Sequence, residues 1–202
     1  MNQKGLTLIE MIATLVILSV IALIVTPNIY GTLKDYKNQL FETQMNNVVE
    51  ATKSWATDNI KLLPSNNSYA LKVTVQELQK DGYLKDNLKN PRDGGTFDES
   101  KIFTLITCNY VEDETGNFAS NYNYIYVAYE DIEDYEKEMA IKYIKDNNLS
   151  TQEIEVSTLK TNGYIETTIK DTSDTLITVP NNTILVTVSE VDGEIIYEAT
   201  IK

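Results

Sequence analysis

The sequence predicts an α+β chain, in which one long N-terminal α-helix is followed by two tandem heads that each carry a small antiparallel β-sheet. Three observations predict it. Residues 6–29 contain a single charge in 24 positions. Apolar residues then recur at helical spacing to about Asn59. Beyond that point a pattern of 12 residues occurs twice at a constant offset, each time followed by alternating, β-branched sequence.

The first element is the apolar stretch. At 1.5 Å per residue a helix of that length reaches about 36 Å, enough to cross the hydrocarbon core of a bilayer. Residues 6–29 are therefore expected to form a transmembrane helix. A cleavable secretory signal is the competing reading, with Val20-x-Ala22 as its cleavage site. Against it, Lys4 is the only basic residue before the run, which continues past Ala22 to Val25. Glu10 lies inside this stretch, where a carboxylate at the bilayer centre costs on the order of 2.5 to 3.5 kcal/mol. Hydration near the interface and the positive end of the helix dipole are two ordinary ways to tolerate it.

The helix is expected to continue beyond the span. Pro27 lacks a backbone donor and crowds the carbonyl four residues earlier. It could end the helix there, but Leu33, Tyr36, Leu40, Phe41, Val48, Val49, Trp55 and Ala56 keep the helical period.

The repeat follows. Val73-Thr-Val-Gln-Glu-Leu78-Gln-Lys-Asp-Gly82-Tyr83-Leu84 aligns without gaps on Ile154-Glu-Val-Ser-Thr-Leu159-Lys-Thr-Asn-Gly163-Tyr164-Ile165, at an offset of 81. Helical sequence precedes each copy, at 44–59 and 134–148. Strand-like sequence follows each, at 101–108 and 123–129 in the first, and at 183–189 and 194–202 in the second. Gly82 and Gly163 are expected to end short helices in the left-handed conformation, turning Tyr83 and Tyr164 back toward the core. Asp192-Gly193 between two alternating runs predicts a two-residue hairpin.

Composition narrows the function. The net charge is -13 and Arg92 is the sole arginine, so direct nucleic-acid binding is not expected. Histidine is absent and Cys108 is the single cysteine. That excludes Ser-His-Asp and Cys-His sets and an internal disulfide. Asp171-Thr172-Ser173 has the form of an aspartic-protease motif, but flanked by Lys170 and Asp174 it reads as a polar turn. The acidic run 130–138 has neither the glycine turn nor the alternating ligands of a calcium loop, and reads as a solvated helix start. Residues 112–117 read as a hairpin loop. No cofactor or metal is expected. Asn66, Asn148 and Asn181 begin glycosylation sequons that chance explains in an Asn-rich chain. Tyr122, Tyr124 and Tyr126 alternate, so as a strand they share one face, a candidate binding surface.

Lys4-Gly5 followed by Leu6-Thr7-Leu8-Ile9-Glu10 resembles the class III prepilin signal of type IV pilins and type II secretion pseudopilins. The resemblance implies cleavage by a prepilin peptidase between Gly5 and Leu6 and N-methylation of Leu6. Glu10 becomes the fifth residue of the mature chain and pairs with the amine of a neighbouring subunit during assembly. Leu6 departs from the usual Phe but remains large and apolar. Pro27 falls where pilins commonly carry a proline that loosens the helix. The L-x-x-x-G-Y element followed by Asn90-Pro91 and Gly94-Gly95 is similar to the heads of pilin-like proteins from Gram-positive bacteria.

The resulting organisation is a prepilin leader at 1–5, a transmembrane and pilus-core helix at 6–29, an amphipathic helix with a first pilin-like head at 30–129, and a second head at 130–202. The implied role is non-enzymatic: a minor or surface-displayed subunit of a type IV pilus or pseudopilus. It would sit in the cytoplasmic membrane with its N-terminus inside, then pass through the pilus assembly platform into an extracellular fibre of pilin or pseudopilin subunits. A single-pass anchored protein that binds or adheres without polymerising is the alternative, and a stalked hydrolase is disfavoured by the missing catalytic sets.

Overall fold

The computed structural model describes residues 8–65, 69–110 and 122–202, with the backbone alone given for 22–30, Tyr110 and Tyr122. Helix α1 (Leu8–Asp58) is 51 residues long and continues through Pro27. Asn59 ends it: both its backbone N–H and its side-chain amide donate to Trp55 O, at 3.0 and 2.9 Å. A short 3₁₀ turn (Ile60–Leu62) follows, and Leu63 is extended ahead of Pro64, as a residue before proline should be.

Two compact units divide the chain. One comprises Met1–Gln44 with Lys89–Gly95, the other Met45–Leu88 with Thr96–Lys202.

In the second unit the two aligned 12-residue segments form the same local elements. Strand β1 (Ala70–Thr74) runs into helix α2 (Val75–Lys80), and strand β4 (Gln152–Glu155) runs into helix α4 (Val156–Thr161). The bounds of α2 and α4 differ by the repeat offset. Each helix ends alike, because Tyr83 N–H bonds Leu78 O at 2.8 Å and Tyr164 N–H bonds Leu159 O at 2.9 Å, with Gly82 and Gly163 at φ of 82° and 75°. This is the helix stop expected from the sequence. Each copy also has a long hairpin: β2 (Phe103–Tyr110) with β3 (Tyr122–Tyr129), and β7 (Thr183–Val191) with β8 (Glu194–Ile201). Asp192 and Gly193 both have positive φ in the second turn, as its sequence predicts.

The two copies share a sheet, which the sequence did not announce. Strand β5 (Ile169–Asp171) pairs in parallel with β1 and carries β6 (Leu176–Ile177), giving the order β3-β2-β1-β5-β6. A second sheet has the order β4-β7-β8.

Two apolar cores result. Val48, Ala51, Trp55 and Ala56 of α1 pack on Leu71, Val73, Leu78 and Ile106. Buried Thr52 and Thr104 meet within this layer, their hydroxyls 2.9 Å apart. The opposite face of the same sheet supplies Ala70, Phe103, Leu105 and Tyr129 to a core with Ile154, Leu159, Ile184, Val186 and helix α3 (Ile132–Asp146). Tyr83 and Tyr164 reach these cores only at their margins. Each is half-buried, with its hydroxyl on Asp58 Oδ2 at 2.5 Å and on Asn147 Nδ2 at 3.2 Å respectively.

Candidate functional site

Gly5 and Leu6 lie outside the described residues, as do 66–68 and 112–117. Helix α1 is described from Leu8 onward and holds Glu10 in its first described turn. The described helix around it is apolar and exposed: Leu8 is 78% accessible, Ile9 75%, and Met11, Ile12, Leu15, Val16, Ile17 and Leu18 are all above half. Such a surface needs covering by lipid or by other helices. Two of its hydroxyls bond the helix backbone, Thr14 donating to Met11 O at 2.8 Å and Ser19 to Leu15 O at 2.7 Å. Among the described residues no helix is long and apolar enough to cross a membrane. The described side chains stop at Ile21, while the apolar sequence continues to Val25, and Pro27 belongs to the segment described by backbone alone.

Further along the same unit the 89–95 turn clasps the helix. Arg92 stacks its guanidinium 3.6 Å from the ring centre of buried Phe41, and Lys37 Nζ donates to Arg92 O at 3.1 Å. The turn is self-closed: Asn90 Oδ1 accepts from Arg92 N at 2.9 Å, and Gly94 N donates to Asn90 O at 2.8 Å.

The tyrosine strand alternates as its sequence indicates. Tyr124 and Tyr126 share one face, their ring centres 6.5 Å apart, and both are half-buried against the core that α1 covers. Ile125 and Val127 lie on the opposite face, the one whose Tyr129 enters the second core, and are 41% and 38% exposed. The side chain of Tyr122 lies outside the described residues. Sequence reasoning singled out the tyrosines and missed Ile125 and Val127, although the same alternation contains them.

The polar motifs at 171–175 and 130–138 hold local structure. Asp171 Oδ1 accepts from Ser173 N and Thr175 N, both at 2.9 Å, and so closes the β5–β6 turn. In the acidic run, Asp131 caps α3 by accepting from Asp134 N at 2.8 Å. The run is not wholly solvated, however, because Glu136 is fully buried beside Tyr135. Its Oε2 accepts from Asn182 Nδ2 at 2.7 Å, and burial pushes its carboxyl above the usual range. Helix periodicity turns this one acid inward.

A cleft of about 470 Å³ is lined by Lys72, Lys101, Asp131, Glu133 and Asn182 among others. Lys72 lies 4.7 Å above the Phe103 ring, and burial lowers its pKa against the opposing pull of Glu77 and Asp171. Tyr135, pushed up to about 12 by burial, offers no phenolate near neutrality. Among the described residues no group of three metal-ligating side chains converges.

Comparison with known proteins points to the N-terminal end. Residues 1–26 match the prokaryotic N-terminal methylation motif. The chain is similar to a ComG operon protein 3 homolog of Bacillus licheniformis, at 31% identity over 91 residues, which are 45% of this chain and 84% of that protein. No solved structure matches it.

Proposed function

The chain belongs to the type IV pilin-like family that carries the N-terminal methylation motif, and from that premise we propose that it is a non-enzymatic, minor or surface-displayed subunit of a type IV pilus or related pseudopilus. A prepilin peptidase removes residues 1–5, cutting between Gly5 and Leu6, and the amine of Leu6 is methylated. Before assembly the chain resides in the cytoplasmic membrane through residues 6–29, its N-terminus inside. The assembly platform then draws it into a fibre, where helix–helix contacts with other subunits replace lipid.

The observation that carries this reading is the position of Glu10. It stands in the first described turn of an exposed apolar helix, inside the matched motif. In a fibre its carboxylate pairs with the amine of Leu6 on a neighbouring copy, a charge-assisted contact strengthened by the apolar surroundings. Pro27 gives the helix a point of local adjustment during this transfer. The duplicated elements support a second part of the proposal, two pilin-type heads at 30–129 and 130–202. Strand β5 would join them through β1. Displayed heads of this size suit a subunit that presents a surface more than one that only packs.

Glu10→Ala tests the proposal. The variant should remain in the membrane fraction and vanish from sheared fibres, while Glu10→Asp retains part of the incorporation. Unchanged incorporation would reject the pairing. Absence of the wild-type chain from fibres would favour an anchored binding protein instead.

A further inference from the structure

Among the described residues four strands close the sides of the two sheets: β3 and β6 in one, β4 and β8 in the other. An edge strand presents backbone donors and acceptors to any passing strand, and folds blunt such edges by shortness or charge. Three of the four are blunted here. Strand β6 is two residues long. Strand β4 has four residues, of which Glu153 and Glu155 are exposed acids. Strand β8 carries Glu194 and Glu198, its hairpin adds Glu190 and Asp192, and residues 187–198 contain no basic side chain.

Strand β3 differs. It reads YNYIYVAY, eight residues with no charge, glycine or proline. Its aromatic and β-branched residues are those that pair best in sheets. One face is anchored, since Tyr124, Tyr126 and Ala128 pack on the core beneath. The other buries Tyr129 at its end in the second core and shows Asn123, Ile125 and Val127 to solvent.

Charge selects the partner. In a chain of net charge -13, two copies that meet along β4 or β8 oppose carboxylates, whereas along β3 they oppose none. An antiparallel pair of identical β3 strands about a twofold axis also keeps matching faces together, Ile125 and Val127 on one side and Tyr124 and Tyr126 on the other.

We propose that β3 of one copy pairs antiparallel with β3 of a second copy, extending the five-stranded sheet across both. This contact is between heads and does not depend on incorporation into a fibre.

The test uses the full-length chain in detergent micelles, comparing wild type, Ile125→Lys, Ile125→Glu and a mixture of the two variants by sedimentation. Position 125 is already 41% exposed, so circular dichroism should stay unchanged. The wild type should dimerise, and each variant alone should associate about fivefold or more weakly, because like charges face each other near the axis. The mixture should recover dimers, as Lys and Glu then meet. Three results would overturn the proposal: a monomeric wild type, dimers that persist in both single variants, or a monomer whose outward β3 amides exchange slowly because its own residues cover the edge.

Discussion

Thr172 donates its hydroxyl hydrogen to Glu77 Oε1, while Glu77 Oε2 accepts from Thr74 N and Thr74 Oγ1, each at 2.7 Å. One carboxylate thus caps α2 and binds it to the turn that follows β5. Glu77→Ala should remove both connections and lower stability by about 1–2 kcal/mol. Glu77→Gln should lose less, since its amide oxygen still accepts. Denaturant unfolding checks both, followed by the fluorescence of Trp55, the single tryptophan and only 2% exposed.

The two helix stops make a paired prediction. A Cβ added at Gly82 or Gly163 meets nothing within 4 Å, so the only penalty is the positive φ. Gly82→Ala and Gly163→Ala should each cost about 1–2 kcal/mol, and by similar amounts. Equal midpoint shifts in denaturant would bear this out. A neutral substitution at either site would contradict the left-handed stop.

Buried Glu136 gives a pH dependence of defined sign. Burial raises its folded-state pKa above the ordinary carboxylate range, with Glu133 adding to the rise and the Asn182 hydrogen bond, Lys160 and Lys137 opposing it. The folded chain therefore keeps this proton to higher pH than the unfolded chain does. The stability it contributes is complete below the ordinary carboxylate range and declines as pH rises through that range to the raised value. Glu136→Gln should flatten this decline relative to wild type in unfolding measured from pH 4 upward, roughly the unperturbed carboxylate range. Parallel curves would contradict it.

Much of this architecture was legible in local sequence, and the reasons are physical. Leu78 and Leu159, the glycines four residues on, and Asp192-Gly193 each act through backbone conformations that a few neighbouring residues dictate. Strand alternation located Tyr124 and Tyr126 on one face, but which face is covered depends on α1, far away in sequence. The β1–β5 pairing was hidden for a related reason: three residues, Ile169 to Asp171, carry no periodicity, and their partner lies about a hundred residues upstream. Glu136 was hidden by its neighbours, since a run of acids resembles a solvated face until the helix register turns one of them inward. At the N-terminus the spacing from Gly5 to Glu10 was the signal, and under the proposed function it serves chemistry between molecules more than folding.

That chemistry is open to one direct measurement, mass spectrometry of the chain recovered from its source cells. The mature protein should begin at Leu6, lack residues 1–5 and carry one methyl group on its α-amine. An intact Met1, or a terminus created by cleavage after Ala22, would contradict it.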